Sequence, residues 1–222
     1  MQLPDAWSKA RITLAITLVT AAAWLVAWLL HREEWVAIWG GFIPARIAFP
    51  GQDAGLGLAP FWLTPLTATL IHAGIIHLAF NLLILVFCGR PVESVLGPAS
   101  LAVLYVTGAY AAAGAQYFAG PTTAMPMVGA SGAISAVLGA YAMLFGRNKV
   151  KLSSPRLALW LNALWLLAAW IGLNLVMGIV VAGGGVPLTG QGVQVAVAAH
   201  IGGFAIGILL ANPLLLFRYR RA

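Results

Sequence analysis

A chain of 222 residues that is 62% hydrophobic and only 8% charged is not an ordinary soluble domain, in which about 25% of residues are charged. Its long apolar runs define a polytopic membrane protein, and no hydrophilic stretch is long enough for a second, soluble domain. The single cysteine, Cys88, excludes an intrachain disulfide and a cysteine metal site, while the net charge of +7 raises a nucleic-acid partner that the placement of the charges removes.

Residues 1–222 read as one all-α membrane domain with six candidate spans. The first, 12–30, follows Lys9 and Arg11. It exceeds the roughly 7–15-residue core of a signal peptide and ends in "AWLLHREE", which has no cleavage site, so a retained membrane helix is expected. Residues 31–70 hold Trp35, Trp39, Trp62 and four prolines, too broken a pattern to span. Trp favours the membrane–water interface, so this segment is expected to be an interfacial loop. Then come 75–94, 99–119, 131–145, 157–181 and 193–210. The fourth is short and begins inside "MVGASGAIS", so non-helical chain must cover part of its depth. Irregular backbone at that depth requires burial in protein or contact with water, which places a cavity near Ser131. No internal repeat is evident.

With the N-terminus inside, the inner ends of the spans carry Lys9, Arg11, Arg90, Arg147, Lys149, Lys151, Arg156, Arg218, Arg220 and Arg221. The outer ends carry Arg32 and Arg46. Ten against two is a strong positive-inside bias, which predicts both termini in the cytoplasm. It accounts for the basic balance without nucleic acid, and "FRYRR" reads as an anchor near anionic lipid.

Polar groups within spans are costly and therefore functional candidates. Ser131 opens the fourth span from the outer side. His200 is expected about seven residues into the sixth, roughly 10 Å deep. His77 and Asn81, four apart on one face, lie in the outer half of the second. A serine hydroxyl becomes a nucleophile when a histidine takes its proton. The acids Asp5, Glu33, Glu34, Asp53 and Glu93 all miss the outer half of the spans, so a Ser–His dyad remains rather than a carboxylate triad. The His77 and Asn81 side chains and the Ser131 backbone N–H are candidate oxyanion donors. Gly203 and Gly207 share the face of His200, and Gly132 and Gly139 lie on the fourth span. These small residues are expected to bring the fourth and sixth helices together.

The motifs "HAGIIHLAFN", "GASG" and "AHIGGFAIG", in this order, resemble those of rhomboid intramembrane serine proteases. "GFIPAR" (41–46) is similar to the first loop of many bacterial members, and "RPVESVLG" to the end of their second helix. The resemblance runs over almost the whole chain and implies a six-helix bundle in a bacterial inner membrane. It implies Ser131 as nucleophile, His200 as general base, and His77 and Asn81 as oxyanion donors, with Gly129 as the small residue before the oxyanion loop. It places His72 at the mouth of the second helix, supporting water access, and residues 181–193 as a mobile cap. It implies substrates that are other transmembrane proteins, cut near the outer face in segments that unwind easily, with no cofactor or metal.

Two features depart from that family. Some members carry an aromatic four residues after the nucleophile, where it stacks on the base; here Ser135 stands there, so His200 is expected to be placed differently or by another ring. The "WR" pair in the first loop of some members is also missing. Elsewhere the blander readings apply. Asn162 and Asn174 are expected as packing contacts, Glu93 as the partner of a helix end or of Arg90, and the tryptophans as interfacial anchors and lipid-facing bulk. Competing classes are an inactive helix-binding relative, against which Ser131 and His200 stand, and a small transporter, which would carry mid-membrane charge and a repeat. No HExxH motif supports a metalloprotease.

Overall fold

The computed structural model describes residues 10–51, 55–146, 154–181 and 196–220. Among the described residues, five helices are long and apolar enough to cross a membrane: α1 (Arg11–Leu29), α5 (Ile75–Leu96), α6 (Pro98–Ala119), α8 (Pro155–Val181) and α9 (Val197–Tyr219). A sixth, α7 (Ser131–Phe145), has 15 residues, about 22 Å at 1.5 Å per residue and so shorter than a bilayer core of roughly 30 Å. Between α1 and α5 lie three short helices, α2 (Glu33–Gly40), α3 (Ala45–Ala48) and α4 (Thr64–Thr67), and a 3₁₀ turn, Ala68–Leu70. Among the described residues there is no strand, only one bridge between Phe42 and Met127.

The first five predicted spans agree with these helices to within two residues. The sixth starts at Val197 rather than 193 and continues nine residues past 210, through Pro213, to Tyr219. The apolar run "PLLLF" continues there, and a proline is tolerated in a span because neighbouring groups re-satisfy the freed carbonyl. His200 is therefore the fourth residue of α9, about one helical turn from its start instead of two.

The short helix α7 is the axis of the bundle. Eleven of its fifteen residues are buried, so protein rather than lipid surrounds its deficit in length. Its sequence "SGAISAVLGA" is mostly glycine, alanine and serine, which lets α5, α6, α8 and α9 pack around it. The α7–α9 contact is backbone on backbone: a Cβ on Gly203 would strike the Gly132 carbonyl, one on Gly207 the Ala136 carbonyl, and one on Gly139 the Phe204 carbonyl. Gly132 itself faces Ala112 of α6, so it seats α7 against α6 more than against α9. The outer helices turn bulk outward. On α8, Leu157, Trp160, Leu161, Leu164, Trp165, Leu175 and Val176 are exposed, a face that only lipid covers without cost.

At the end of the bundle remote from Ser131, α1 begins with Ala10 at its N-cap position, which has no side-chain acceptor. The orphan first-turn donors go to Glu93 of α5 instead. Its carboxylate accepts from the Ile12 N–H (2.8 Å), the Thr13 N–H (2.8 Å) and the Thr13 hydroxyl (2.7 Å). Of the two partners expected for Glu93, the helix end is the one observed. Nearby, Arg218 at the end of α9 donates to the Ser94 carbonyl at 2.9 Å. Replacing Glu93 by alanine is expected to cost roughly 3 kcal/mol, because charged hydrogen bonds contribute about 1.5–3 kcal/mol each and helix donors are left buried. Thermal unfolding in detergent measures it, and an unchanged midpoint would show that α1 docks without this cap.

Candidate active site

The site is assembled at the end of the bundle where α7 and α9 begin. Ser131 is the first residue of α7, 9% exposed, and His200 of α9 is 2% exposed. The His200 Nε2 and Ser131 Oγ atoms lie 2.8 Å apart. That distance is within reach for transfer of the serine proton. Among the described residues His200 Nδ1 has no hydrogen-bond partner, so no carboxylate orients the ring. Of the described acids, Glu93 is spent on α1.

A cavity of about 220 Å³ opens beside the pair. Ser131, His200, His77, Gly129 and Asn174 contribute to its lining, together with apolar groups such as Met125 and Ala199. Gly129 has φ +115, a conformation that a side chain strains, and a Cβ there would fall 2.8 Å from His77 Cε1. Glycine thus lets the chain before Ser131 pass directly under the His77 imidazole.

The segment leading into Ser131 is held by the first loop. Phe42 and Met127 exchange backbone hydrogen bonds of 3.0 and 2.8 Å, Ala45 N–H donates to the Thr123 carbonyl, and Gly129 N–H donates to the Ala68 carbonyl at 2.9 Å. Arg46 reaches back to the Ala59 carbonyl at 2.9 Å. Trp35 and Trp62 are exposed, while Thr64, Ala68 and Thr69 are buried. The inner part of this loop is therefore scaffold for the segment that leads into Ser131.

Asn81 is buried, and its amide donates to the His77 carbonyl at 2.9 Å without lining the cavity. His72 lies three residues before the start of α5 and is buried, 3% exposed. Its Nε2 accepts from the Ala130 N–H at 3.4 Å, and its ring meets His77 edge-on at 5.0 Å. Burial, and then the neighbouring His77, push its pKa down to about 3. It is thus neutral at ordinary pH, as an accepting Nε2 requires. On its other side His72 lines a second cavity, of about 250 Å³, with Trp24, Trp39 and Glu33. The expected cap, 181–193, lies outside the described residues except for Val181, which ends α8.

Sequence reasoning treated every tryptophan as an anchor or lipid-facing bulk. Trp170 of α8 is neither: it is 4% exposed, with its ring edge-on to His200 at 6.0 Å between centroids. Its Nε1–H donates to Ser135 Oγ at 2.8 Å. A signal was present in the chain. Ala163, Trp170 and Asn174 are spaced by seven and four, a helical stripe opposite the bulky lipid-facing residues.

An apolar helical bundle that buries a serine–histidine pair beside a cavity has the make-up of a polytopic membrane protein with a candidate catalytic pair. The comparisons give that class a family. The Rhomboid domain model matches residues 60–217, a stretch that includes Ser131, His200, His77, Gly129 and Asn174. The chain is 28% identical over 202 residues to rhomboid protease GlpG of Pectobacterium atrosepticum, covering 90% of this chain and 61% of that protein. It is 31% identical over 144 residues to GlpG of Serratia proteamaculans, covering 64% and 44%. It is 35% identical over 94 residues to rhomboid protease GluP of Bacillus subtilis, covering 42% and 18%. The chain belongs to the rhomboid family and spans less than two thirds of the length of these relatives.

Proposed function

We propose that this protein is an intramembrane serine endopeptidase that cuts transmembrane segments of other membrane proteins with Ser131 as nucleophile and His200 as general base. The observation that carries this reading is the 2.8 Å Oγ–Nε2 pair at the start of a helix buried within the bundle. In the first step Ser131 Oγ bonds to the scissile carbonyl carbon while its proton passes to His200 Nε2. The C–N bond then breaks, the leaving amine takes that proton, and an acyl ester remains on Oγ. Water attacks the ester, gives a proton to Nε2, and the carboxylic product leaves as Oγ recovers its proton.

The charge that develops on the carbonyl oxygen needs donors already in place. The Ser131 N–H, at the positive end of α7, and the His77 ring beside Gly129 are the candidates nearest the nucleophile. Asn81 supports them by holding the carbonyl of His77, with its second amide proton still to give. His72 fixes the preceding residue through the Ala130 N–H. Gly129 keeps the approach open.

A helical substrate hides its carbonyls in its own hydrogen bonds, so only a locally unwound stretch offers a carbonyl to Ser131. This favours spans with small or helix-breaking residues near one end. The lysine and arginine bias supports a reading with both termini in the cytoplasm and the site toward the outer face of the membrane. A fluorophosphonate probe tests the reading most directly. Labelling of the purified protein that disappears in Ser131→Ala is the expected result, and equal labelling of both would remove Ser131 as nucleophile.

A further inference from the structure

The base is held at only one of its two nitrogens. Nε2 meets Ser131, but Nδ1 has no hydrogen-bond partner among the described residues, so packing must set the plane of the ring. The packing is specific. Trp170 presents its indole at 71° to the imidazole, with centroids 6.0 Å apart, within the range in which edge-to-face ring pairs attract.

Trp170 is itself fixed. Its indole N–H, which can only donate, gives its hydrogen bond to Ser135 Oγ at 2.8 Å. The Ser135 hydroxyl in turn donates to the Ser131 carbonyl at 2.7 Å. A closed circuit results: Ser131 carbonyl, Ser135 hydroxyl, Trp170 indole, His200 imidazole, Ser131 hydroxyl. It joins three helices, α7, α8 and α9. Ser135 is fully buried, so each of its hydrogen bonds is sheltered from water.

We infer that Trp170, anchored by Ser135, is the positioning residue that orients His200 toward Ser131, a task that here falls to a ring from α8 and not to one on the nucleophile's own helix. The inference rests on the dyad proposed above. It also ties catalysis to the docking of α8. That helix buries only 11% of its span in the bundle, against 28% for α9 and 44% for α6. Displacing it withdraws the ring that steadies the base, so a loosely held helix controls the geometry of a tightly held pair.

The test measures cleavage of a model transmembrane substrate by wild type, Ser131→Ala, Trp170→Ala, Trp170→Phe and Ser135→Ala in detergent, together with thermal midpoints. A misplaced catalytic group costs up to about 100-fold, and that fall in kcat at nearly constant KM is expected for Trp170→Ala. Trp170→Phe keeps a ring without its anchor and is expected to recover most of the loss, remaining about tenfold below wild type, as is Ser135→Ala. If Trp170→Ala does not fold, the other two decide. A kcat within about threefold of wild type in them, or a loss confined to KM, overturns the inference. Ser131→Ala separates the two levels of the argument. Its retaining activity overturns the dyad, whereas an inactive Ser131→Ala beside fully active Trp170 and Ser135 variants overturns only the brace.

Discussion

Alanine at Ser131 is expected to lower kcat for cleavage of a model transmembrane substrate by about 10³-fold or more, and alanine at His200 by a similar factor. The two effects should not add. Oγ lies 2.8 Å from Nε2, and nucleophile and base act as one unit. Once either is gone, the other has no proton to pass or accept. The double variant should therefore be no slower than the slower single one, with the remaining rate supplied by substrate binding and the oxyanion donors. A loss of 10³-fold corresponds to about 4 kcal/mol of barrier, far more than any packing change at a residue as small as serine. Thermal midpoints separate chemistry from folding. Ser131→Ala removes one hydroxyl and its bond to His200, so it should lower the midpoint by a few degrees without unfolding the protein. Cleavage by Ser131→Ala at even a tenth of the wild-type rate would sink the mechanism.

Much of this arrangement is legible in the sequence because a membrane makes depth readable. Apolar length marks the spans, and residues such as Ser131, His77 and His200 are conspicuous where polarity is expensive. What is less legible depends on pairing between helices. The start of α9 is one case: the preceding run "VQVAV" is mostly apolar, so the pattern predicts a helix from 193, whereas α9 begins at Val197, with His200 its fourth residue. Asn81 is another. The spacing of four that puts it on the face of His77 also lets its amide bond back to the His77 carbonyl, and that local contact is the one observed. Trp170 is the clearest. Nothing in its own helix says which ring it meets, since its partners, Ser135 and His200, belong to α7 and α9. The absence of an aromatic at position 135 makes room for a second-helix ring, and the small hydroxyl left there is what captures it.

The glycines of α9 set a second large expectation, on stability and activity together. Gly207→Val should cost about 3 kcal/mol and lower activity about 100-fold, although Gly207 lies seven residues from His200 along the helix, roughly 10 Å at 1.5 Å per residue. The reason is what a side chain would meet. A Cβ at Gly207 runs into the carbonyl oxygen, carbonyl carbon and Cα of Ala136, all backbone of a buried helix. No rotamer relieves that contact, so α9 must move away from α7. His200 rides on α9 and Ser131 on α7, so the shift opens the 2.8 Å pair. Gly172 of α8 provides the contrast. Nothing lies within 4 Å of a Cβ there, so Gly172→Ala should be neutral or stabilising by up to about 1 kcal/mol. Thermal unfolding and fluorophosphonate labelling in detergent check both variants. A Gly207→Val protein with a wild-type midpoint and wild-type labelling would mean that helix contact at this glycine does not hold the dyad together. A destabilised protein with weak labelling would tie the register of α7 on α9 to the reactivity of Ser131.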